Sequence, residues 1–133
     1  KTEQMPVVIS FTVETDGKLP SGETLQQAVE QVDAETENSP AYYMINCAHP
    51  THLVDTQAGE PWTKRIRAMR ANASSKSHAE LDESTELDTG NIPEFGPLHL
   101  KLIDQFDTLN IFGGCCGTDH RHVEEICKSL VSK

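Results

Sequence analysis

The sequence predicts an α/β domain with a parallel sheet, and two observations lead to this fold class. Four apolar, strand-like runs occur along the 133 residues, a length that suits one domain. Each run is followed, directly or after a loop, by a segment in which apolar residues recur at helical spacing. Strands that alternate with helices in this way form a parallel sheet against which the helices pack.

The four predicted strands differ in character. Residues 6–13 are rich in β-branched side chains, as buried strands are, and residues 41–46 form a second run that ends at Cys47. Residues 66–72 alternate two arginines with apolar side chains, which predicts one polar side for the third strand. Residues 109–112 form a short fourth strand that leads directly into a glycine-rich loop.

Candidate N-cap residues and the spacing of apolar side chains predict where the helices before the last one begin and end. Ser21 is the expected N-cap of the first helix, and Thr51 is the expected cap of a short helix that ends near Gln57. Residues 74–96 are polar and are predicted to form a long loop before a helix over residues 97–106. The acidic part of this loop, from Glu80 to Asp88, is expected to be solvated or, alternatively, to cover the ligand site.

The last helix begins after a cap at Thr118 or Asp119. Its apolar residues lie at i, i+3, i+4, i+7 and i+8, which places Cys127 on the face expected in the core. His120 and His122 in its first turn are expected on the surface.

Composition excludes some classes of partner. Eleven basic and 21 acidic residues give a formal net charge of −10, which argues against nucleic acid or an anionic membrane surface as a partner. No apolar run approaches the ~20 residues of a membrane-crossing helix, so neither such a helix nor a signal peptide is expected in these residues. The four irregularly spaced cysteines do not suggest a disulfide framework, so reduced thiols in the cytoplasm are expected.

Two cysteines, Cys115 and Cys116, are adjacent within a glycine-rich loop. Disulfide geometry makes a bridge between neighbouring residues difficult, and a soft metal ion is the natural partner for both thiols. Cys47, at the end of the second strand, supplies a third thiolate. Three thiolates around Zn²⁺ with an open fourth position would form a catalytic zinc site.

Two alternatives to this zinc site stay open at the level of sequence. The cysteines are also acceptable as small buried side chains in a tight turn between strand and helix. His49 or His52 could instead supply a fourth ligand and make the site structural, although histidines at strand ends are more often satisfied by hydrogen bonds.

The cysteines and several polar residues are predicted to share one edge of the sheet. Ligands of parallel sheets bind at the carboxyl ends of the strands, an edge called the rim below. Glu14, Asn46 and Asn72 stand at the ends of the first three strands. The asparagines could bind a polar substrate and Glu14 its amino group; alternatively, the asparagines close turns and Glu14 is a solvated loop acid.

Two segments carry a resemblance to a known family. Ile45-Asn46-Cys47 after the second strand, and Gly113-Gly114-Cys115-Cys116-Gly117-Thr118 after the fourth, resemble the zinc-dependent homocysteine S-methyltransferases. That family includes the homocysteine-binding module of cobalamin-dependent methionine synthase and the betaine– and S-methylmethionine–homocysteine methyltransferases. Ser10-Phe11-Thr12 with the loop after it is also similar, so the resemblance covers essentially the whole chain.

The resemblance implies a fold, a cofactor and a set of site residues. Residues 1–133 would be strands five to eight, with their helices, of a (βα)8 TIM barrel. Cys47, Cys115 and Cys116 would bind zinc, and Asn46 and Asn72 would lie where homocysteine binds. The implied enzyme transfers a methyl group to the homocysteine thiol and forms methionine. The donor would be S-methylmethionine, S-adenosylmethionine, a betaine or a methyl-corrinoid.

The family's fold implies a further half of the barrel. An open sheet of four parallel strands exposes two edges and one face, and the chain begins at Lys1. The preferred expectation is therefore a fragment of a longer protein, and the other is that two copies complete one barrel. The alternative functions are a non-catalytic module that binds zinc or a thiol, and a structural half-domain whose cysteines bind nothing.

Overall fold

The computed structural model describes residues 5–53, 60–83, 86 and 88–132, and it contains one parallel sheet. Its strands stand in chain order and are β1 (Val8–Thr12), β2 (Tyr42–Ala48), β3 (Ile66–Ala71) and β4 (Ile111–Gly114). Each strand pairs in parallel with the next. The predicted α/β class, with helices alternating with parallel strands, is confirmed, and all four strands end at the same rim.

Four helices connect or follow the strands, namely α1 (Leu25–Thr36), α2 (His78–Asp82), α3 (Ile92–Gln105) and α4 (His120–Val131). A short 3₁₀ turn at Pro50–Leu53 follows β2, and another at Pro61–Arg65 precedes β3. The core lies between one face of the sheet and the helices. Its largest fully buried side chains include Tyr43, Ile45, Ile66, Met69, Phe95, Leu102, Phe106 and Ile126.

The opposite face of the sheet is open. Strand register places Thr12, Asn46, Arg70 and Gly113 side by side in one row near the rim. The rows below it contain Ser10, Met44, Ala68 and Ile111, then Val8 and Tyr42. Val8 and Ile111 are 40% and 41% exposed, although both are large apolar residues. These three rows are called the open face below.

An ion pair holds α1 against the sheet. Arg65 donates from Nε and Nη2 to the carboxylate of Asp33 at 2.9 Å, and the Tyr43 hydroxyl donates to the same carboxylate at 2.8 Å. The hydrogen bonds from Arg65 lower the pKa of Asp33, while burial and the bond to Asp33 raise the pKa of Tyr43 to about 12. Asp33 lies on α1, whereas Arg65 ends the 3₁₀ turn before β3 and Tyr43 lies on β2. These contacts therefore fix the position of α1 on the sheet.

The predicted cap of the first helix is wrong. Thr24, not Ser21, is the N-cap, and it forms a capping box with Gln27 in which each side chain accepts from the other's backbone amide. Ser21 lies in a turn closed by the hydrogen bond from Gly22 N to Leu19 O. The chain needs this extra turn before it can enter the helix.

The prediction of one long loop over residues 74–96 is also wrong. Helix α2 lies within it, with Ser77 as N-cap, and α3 begins at Ile92 rather than at residue 97. Asn91 caps α3, and Pro97 is inside the helix. The buried face of α3 starts at Phe95, so tertiary packing extends the helix upstream of the proline. Residues 84, 85 and 87 of the acidic run lie outside the described residues.

Helix α4 confirms one predicted cap and corrects two predicted positions. Asp119 is the N-cap. His122, expected on the surface, is fully buried, whereas Cys127, expected in the core, is exposed. Helix α4 packs mainly on α3, which buries His122 and Ile126 one turn apart. Val123 and Val131 on the predicted apolar face remain 39% and 86% exposed.

Two further predictions of local structure concern His120 and the short helix expected from Thr51. His120 is exposed, as predicted. Pro50–Leu53 forms a 3₁₀ turn where the short helix from Thr51 was expected, and the rest of that helix, residues 54–57, lies outside the described residues. Within the described part of the chain, none of the helices combines the length and apolar character that crossing a membrane requires.

The contact between α3 and α4 gives a first prediction. A Cβ atom at Gly96 would collide with the carbonyl oxygen of Glu125 and the hydroxyl of Ser129 on α4. Gly96→Ala should therefore lower the free energy of unfolding by roughly 2 kcal/mol, measured by urea titration, because backbone at this contact cannot move aside cheaply. An alanine in a helix without this contact would instead stabilise by about 1 kcal/mol relative to glycine.

The matched control lies on the same helix. Lys101 is exposed, and Lys101→Ala should change the free energy of unfolding by no more than about 0.5 kcal/mol. A stabilised Gly96→Ala variant would contradict the close approach of the two helices.

Candidate metal centre

The structure brings together the three cysteines named from the sequence. The sulfur atoms of Cys47, Cys115 and Cys116 all lie within 4.8 Å of one another, and all four cysteines of the chain are free thiols. Thiolates around a tetrahedral Zn²⁺ at about 2.3 Å stand about 3.8 Å apart. Small side-chain rotations would therefore fit the cluster to a zinc ion, and ligation by these residues stays a prediction.

Cys47 occupies an unusual backbone conformation. Its φ is +51°, in the left-handed region that non-glycine residues rarely adopt, and the pairing between β2 and β3 shifts register between Asn46 and Ala48. Such a bulge takes one residue out of the strand's alternation. Tyr43 and Ile45 alternate into the core, whereas Cys47 is only half-buried. The bulge thus re-aims the thiol from the core toward the cluster.

The double-cysteine loop, residues 113–118, is held by hydrogen bonds to the end of β3. Cys115 N donates to Ala71 O at 2.8 Å, and Ala73 N donates to Cys116 O at 3.0 Å. The Thr118 hydroxyl donates to Cys115 O at 2.7 Å. These bonds fix both cysteine backbones, so the thiols need little ordering to act together.

Two glycines make this loop possible. A Cβ atom at Gly114 would collide with the side chain of Thr118, and one at Gly117 would collide with the carbonyl oxygen of Asp88. Gly117 also has a φ of +80°, which L-residues rarely adopt. Gly114 and Gly117 therefore allow close contacts that any other residue would block, and the loop depends on these contacts for its conformation.

Asn72 has a structural contact in addition to its predicted one. It is almost fully buried, its backbone N–H donates to Ala48 O at 3.0 Å, and its Oδ1 accepts from Cys116 N at 3.2 Å. It therefore links the end of β2 to the double-cysteine loop. Its contact with a substrate stays a prediction.

Asn46 and Glu14 lie on the same rim. The Thr12 hydroxyl donates to Asn46 Oδ1 at 2.7 Å, which leaves the amide nitrogen of Asn46 available at the top of the open face. The backbone of Glu14 closes a turn with Gly17 and Lys18, and among the described residues its carboxylate has no hydrogen-bond partner. Both remain predicted substrate contacts.

The three thiols do not ionise equally in the absence of metal. Burial and hydrogen bonding to Cys115 raise the pKa of Cys47 to about 12, and burial and the charge of Cys115 raise the pKa of Cys116. Burial also opposes ionisation of Cys115, but hydrogen bonds from its two neighbours, with a smaller contribution from the charge of Arg70, lower its pKa. Cys115 is therefore the first to become a thiolate.

The histidines near Cys47 are satisfied by hydrogen bonds. His49 Nδ1 contacts the Thr51 hydroxyl at 2.8 Å, and His52 Nε2 donates to Ser75 O at 2.9 Å. Among the described residues, the group that could hold a metal contains the three cysteines and neither histidine. The alternative of a fourth protein ligand therefore gains no support.

The loops after the first three strands meet at the rim. His52, after β2, contacts Ser75, after β3, and His78 Nε2 donates to Val13 O, after β1, at 3.1 Å. These hydrogen bonds connect the loops after β1, β2 and β3 to one another at the rim. The segment before α3 is bound to α4, because His122 Nε2 donates to Thr89 O at 2.9 Å.

Sequence reasoning missed Arg70. It is exposed on the open face, beside Asn46 and Gly113 in register, and its charge acts on Cys115. The available signal was the alternation of arginine with apolar residues in β3, which predicted a polar side without assigning it a role.

One comparison with known proteins identifies the family. The family model described as homocysteine S-methyltransferase matches residues 1–130, which is nearly the whole chain. The chain belongs to the homocysteine S-methyltransferase family. A search of curated proteins finds no match. Membership confirms the resemblance drawn from the two cysteine segments, and it places the chain among methyltransferases.

The double-cysteine loop of this homocysteine S-methyltransferase family member gives a second prediction. Gly114→Ala should lower zinc content at least about 10-fold, measured by metal analysis after purification, because its Cβ displaces Thr118 and with it Cys115. Gly113→Ala is the control, since its Cβ would meet only the flexible side chain of Arg70, at 3.6 Å. Equal zinc content in the two variants would contradict the role of the glycine.

A pH dependence of stability gives a third prediction. Burial, followed by the nearby His52 and His99, lowers the pKa of His49 from 6.5 to about 4 in the folded protein. Between these values the unfolded chain binds more protons, so the free energy of unfolding should fall as pH falls from 6.5 toward 4. The contribution of His49 is at most about 1.4 kcal/mol per pH unit.

The measurement is urea unfolding at pH 7, 6 and 5. His49→Gln should show a shallower decline than the wild-type protein, because it removes one group that takes up a proton on unfolding. An unchanged slope in this variant would contradict the neutral, buried state of His49.

Proposed function

We propose that this protein transfers a methyl group to the thiol of homocysteine and forms methionine, with zinc held by Cys47, Cys115 and Cys116. The observation that carries the proposal is the meeting of these three thiols at the rim in a member of the homocysteine S-methyltransferase family. The proposal also places the chain in the cytoplasm, where free cysteines persist in reduced form.

The donor set favours zinc and leaves one coordination position for a substrate. Three thiolates suit a zinc ion, and no histidine or carboxylate joins them in the group formed by the described residues. A zinc ion held by these three cysteines would supply a Lewis acid that lowers the pKa of a coordinated substrate thiol, so that the thiol would lose its proton to solvent. Three cysteine thiolates give the site a formal charge of −1, which keeps a bound sulfur electron-rich.

The residues of the chain then hold and orient the reactants. In the transfer, a lone pair of the homocysteine sulfur forms the new bond to the methyl carbon, and the donor's leaving group keeps the electron pair of the broken bond. Asn72 and the end of β3 fix the double-cysteine loop, and the bulge fixes Cys47. Asn46 and Glu14 are proposed to bind the polar groups of the amino acid.

The methyl donor is left to experiment. It must carry a methyl group on an activated centre, as in S-methylmethionine, S-adenosylmethionine, a betaine or a methyl-corrinoid. Each of these releases a stable leaving group when a thiolate attacks its methyl carbon.

We further propose that residues 1–133 form strands five to eight of a (βα)8 barrel. The open face supports this, because its lower rows expose Val8 and Ile111 while its top row is polar. A closed barrel would cover the apolar rows and pair both edge strands, β1 and β4. The proposed partner for this face is the other half of the barrel, either in a longer chain or in a second copy.

A fourth prediction tests the metal ligands. Cys47→Ser, Cys115→Ser and Cys116→Ser should each lower zinc content from about one to less than ~0.2 per chain, because the oxygen of serine replaces a soft ligand. Methionine formation from homocysteine should fall at least ~100-fold in each variant. The exposed Cys127 is the control, and Cys127→Ser should keep both zinc and activity.

The result also separates the alternatives. Zinc in the wild-type protein without methionine formation from any donor would favour a non-catalytic zinc- or thiol-binding module. No zinc in wild-type protein purified with reductant would contradict both. Addition of homocysteine should shift the zinc X-ray absorption edge toward four sulfur ligands if the thiol binds at the metal.

A further inference from the structure

Arg70 stands where a substrate held at the cysteine cluster would extend. Strand register puts it in the top row of the open face, between Asn46 on β2 and Gly113 on β4. Cys115 follows Gly113 by two residues, so the double-cysteine loop begins beside Arg70 in the sheet. The arginine is therefore the positive charge of β3 that lies closest to the rim.

The side chain of Arg70 occupies the space beside Gly113. A Cβ atom at Gly113 would lie 3.6 Å from Cγ of Arg70, so the aliphatic stem of the arginine passes over the glycine. A larger side chain at 113 would narrow this path toward the cysteines. The absence of a side chain at Gly113 therefore leaves the stem of Arg70 unobstructed on the β4 side of the open face.

The guanidinium group has no acidic partner. Among the described residues, Arg65, Lys76, Arg121 and Lys128 form ion pairs with carboxylates. Arg70 forms neither an ion pair nor a side-chain hydrogen bond there, and it shares the lack of an ion pair with the other bases Lys18, Lys64, Arg67 and Lys101. What distinguishes Arg70 from these other bases is its position in the top row of the open face, beside Asn46 and Gly113. An unpaired arginine at a ligand-binding rim suits an anionic ligand group.

We propose that Arg70 binds the carboxylate of the thiol amino acid, an inference that rests on the proposed function. In homocysteine three carbon atoms separate the thiol from the carboxylate carbon. A thiol at the cluster would therefore bring the carboxylate within the neighbourhood of Arg70, and Glu14 on the other side of the rim would be left for the amino group. Arginine is suited to this role because its planar group can bind both carboxylate oxygens at once.

The test compares two thiols that differ only in the carboxylate. Homocysteine and 3-aminopropane-1-thiol are titrated into protein loaded with cobalt(II), whose visible absorption reports thiol binding directly at a tetrahedral site. Arg70→Gln should weaken homocysteine binding about 10- to 100-fold, as expected for loss of a charge-assisted hydrogen bond. Binding of 3-aminopropane-1-thiol should change by no more than about two-fold.

Two further variants keep the test interpretable. Arg67→Gln removes an exposed arginine at the other end of the same strand, and it should bind both thiols as the wild-type protein does. Arg70→Lys keeps the charge without the paired geometry, and its affinity for homocysteine should lie between those of Arg70→Gln and the wild type. Cobalt content near the wild-type level in each variant shows that the site is folded.

The outcomes distinguish this inference from the proposed function. If Arg70→Gln weakens both thiols equally, or neither, the inference is overturned even if the wild-type protein makes methionine. If the wild-type protein binds homocysteine but none of the donors leads to its methylation, the methyl-transfer proposal is wrong. Weaker binding of homocysteine alone in Arg70→Gln would still support the carboxylate contact. A wild-type protein that binds neither thiol overturns both.

Discussion

The end of β3 is the constraint on which the site depends. In the strand order β1-β2-β3-β4, the strands that carry the cysteines are not neighbours, and β3 lies between them. Ala71, Asn72 and Ala73 hydrogen-bond the backbones of Cys115 and Cys116, and Asn72 also bonds the end of β2 through Ala48. The thiols of β2 and of the loop after β4 therefore meet because three consecutive residues, the last of β3 and the two that follow it, hydrogen-bond both sides.

The cluster is built from backbone that departs from regular geometry. Cys47 has a left-handed conformation at a bulge, and Gly114 and Gly117 allow contacts that a Cβ would block. A non-glycine residue in this region costs of order 1–3 kcal/mol, and it persists only where the surroundings fix it. Here the surroundings are the strand pairs on either side of the bulge. Regular alternation would have buried the thiol of Cys47 in the core, and the strained conformation turns it toward the other two cysteines instead.

The open face has a gradient of polarity along the strands. Its row nearest the rim contains Thr12, Asn46 and Arg70, and its lower rows contain mostly apolar residues such as Met44, Ile111 and Val8. A polar upper row suits contact with a substrate at the rim, whereas apolar lower rows suit burial in a core. One face of the sheet thus combines binding and packing, and a covering half of a barrel would complete both.

The sequence by itself determined the strand–helix alternation, the parallel sheet and the three cysteines. These follow from short-range patterns: β-branched runs, helical spacing, and two adjacent cysteines in a glycine-rich loop. It did not determine helix limits where packing decides them, as in α3, which continues upstream of Pro97 because Phe95 is buried. It also misplaced His122 and Cys127, since the sequence shows that α4 is amphipathic but not which stripe contacts α3.

Only the tertiary structure decided how the site is held and what stands beside it. The bulge at Cys47, the bond from Cys116 to Asn72, and the row that places Arg70 beside Gly113 all join residues distant in sequence. Their partners are set by strand register, which a single sequence does not specify. The sequence alone thus identified the thiols, while the fold decided their geometry and placed Arg70 in the row nearest the rim.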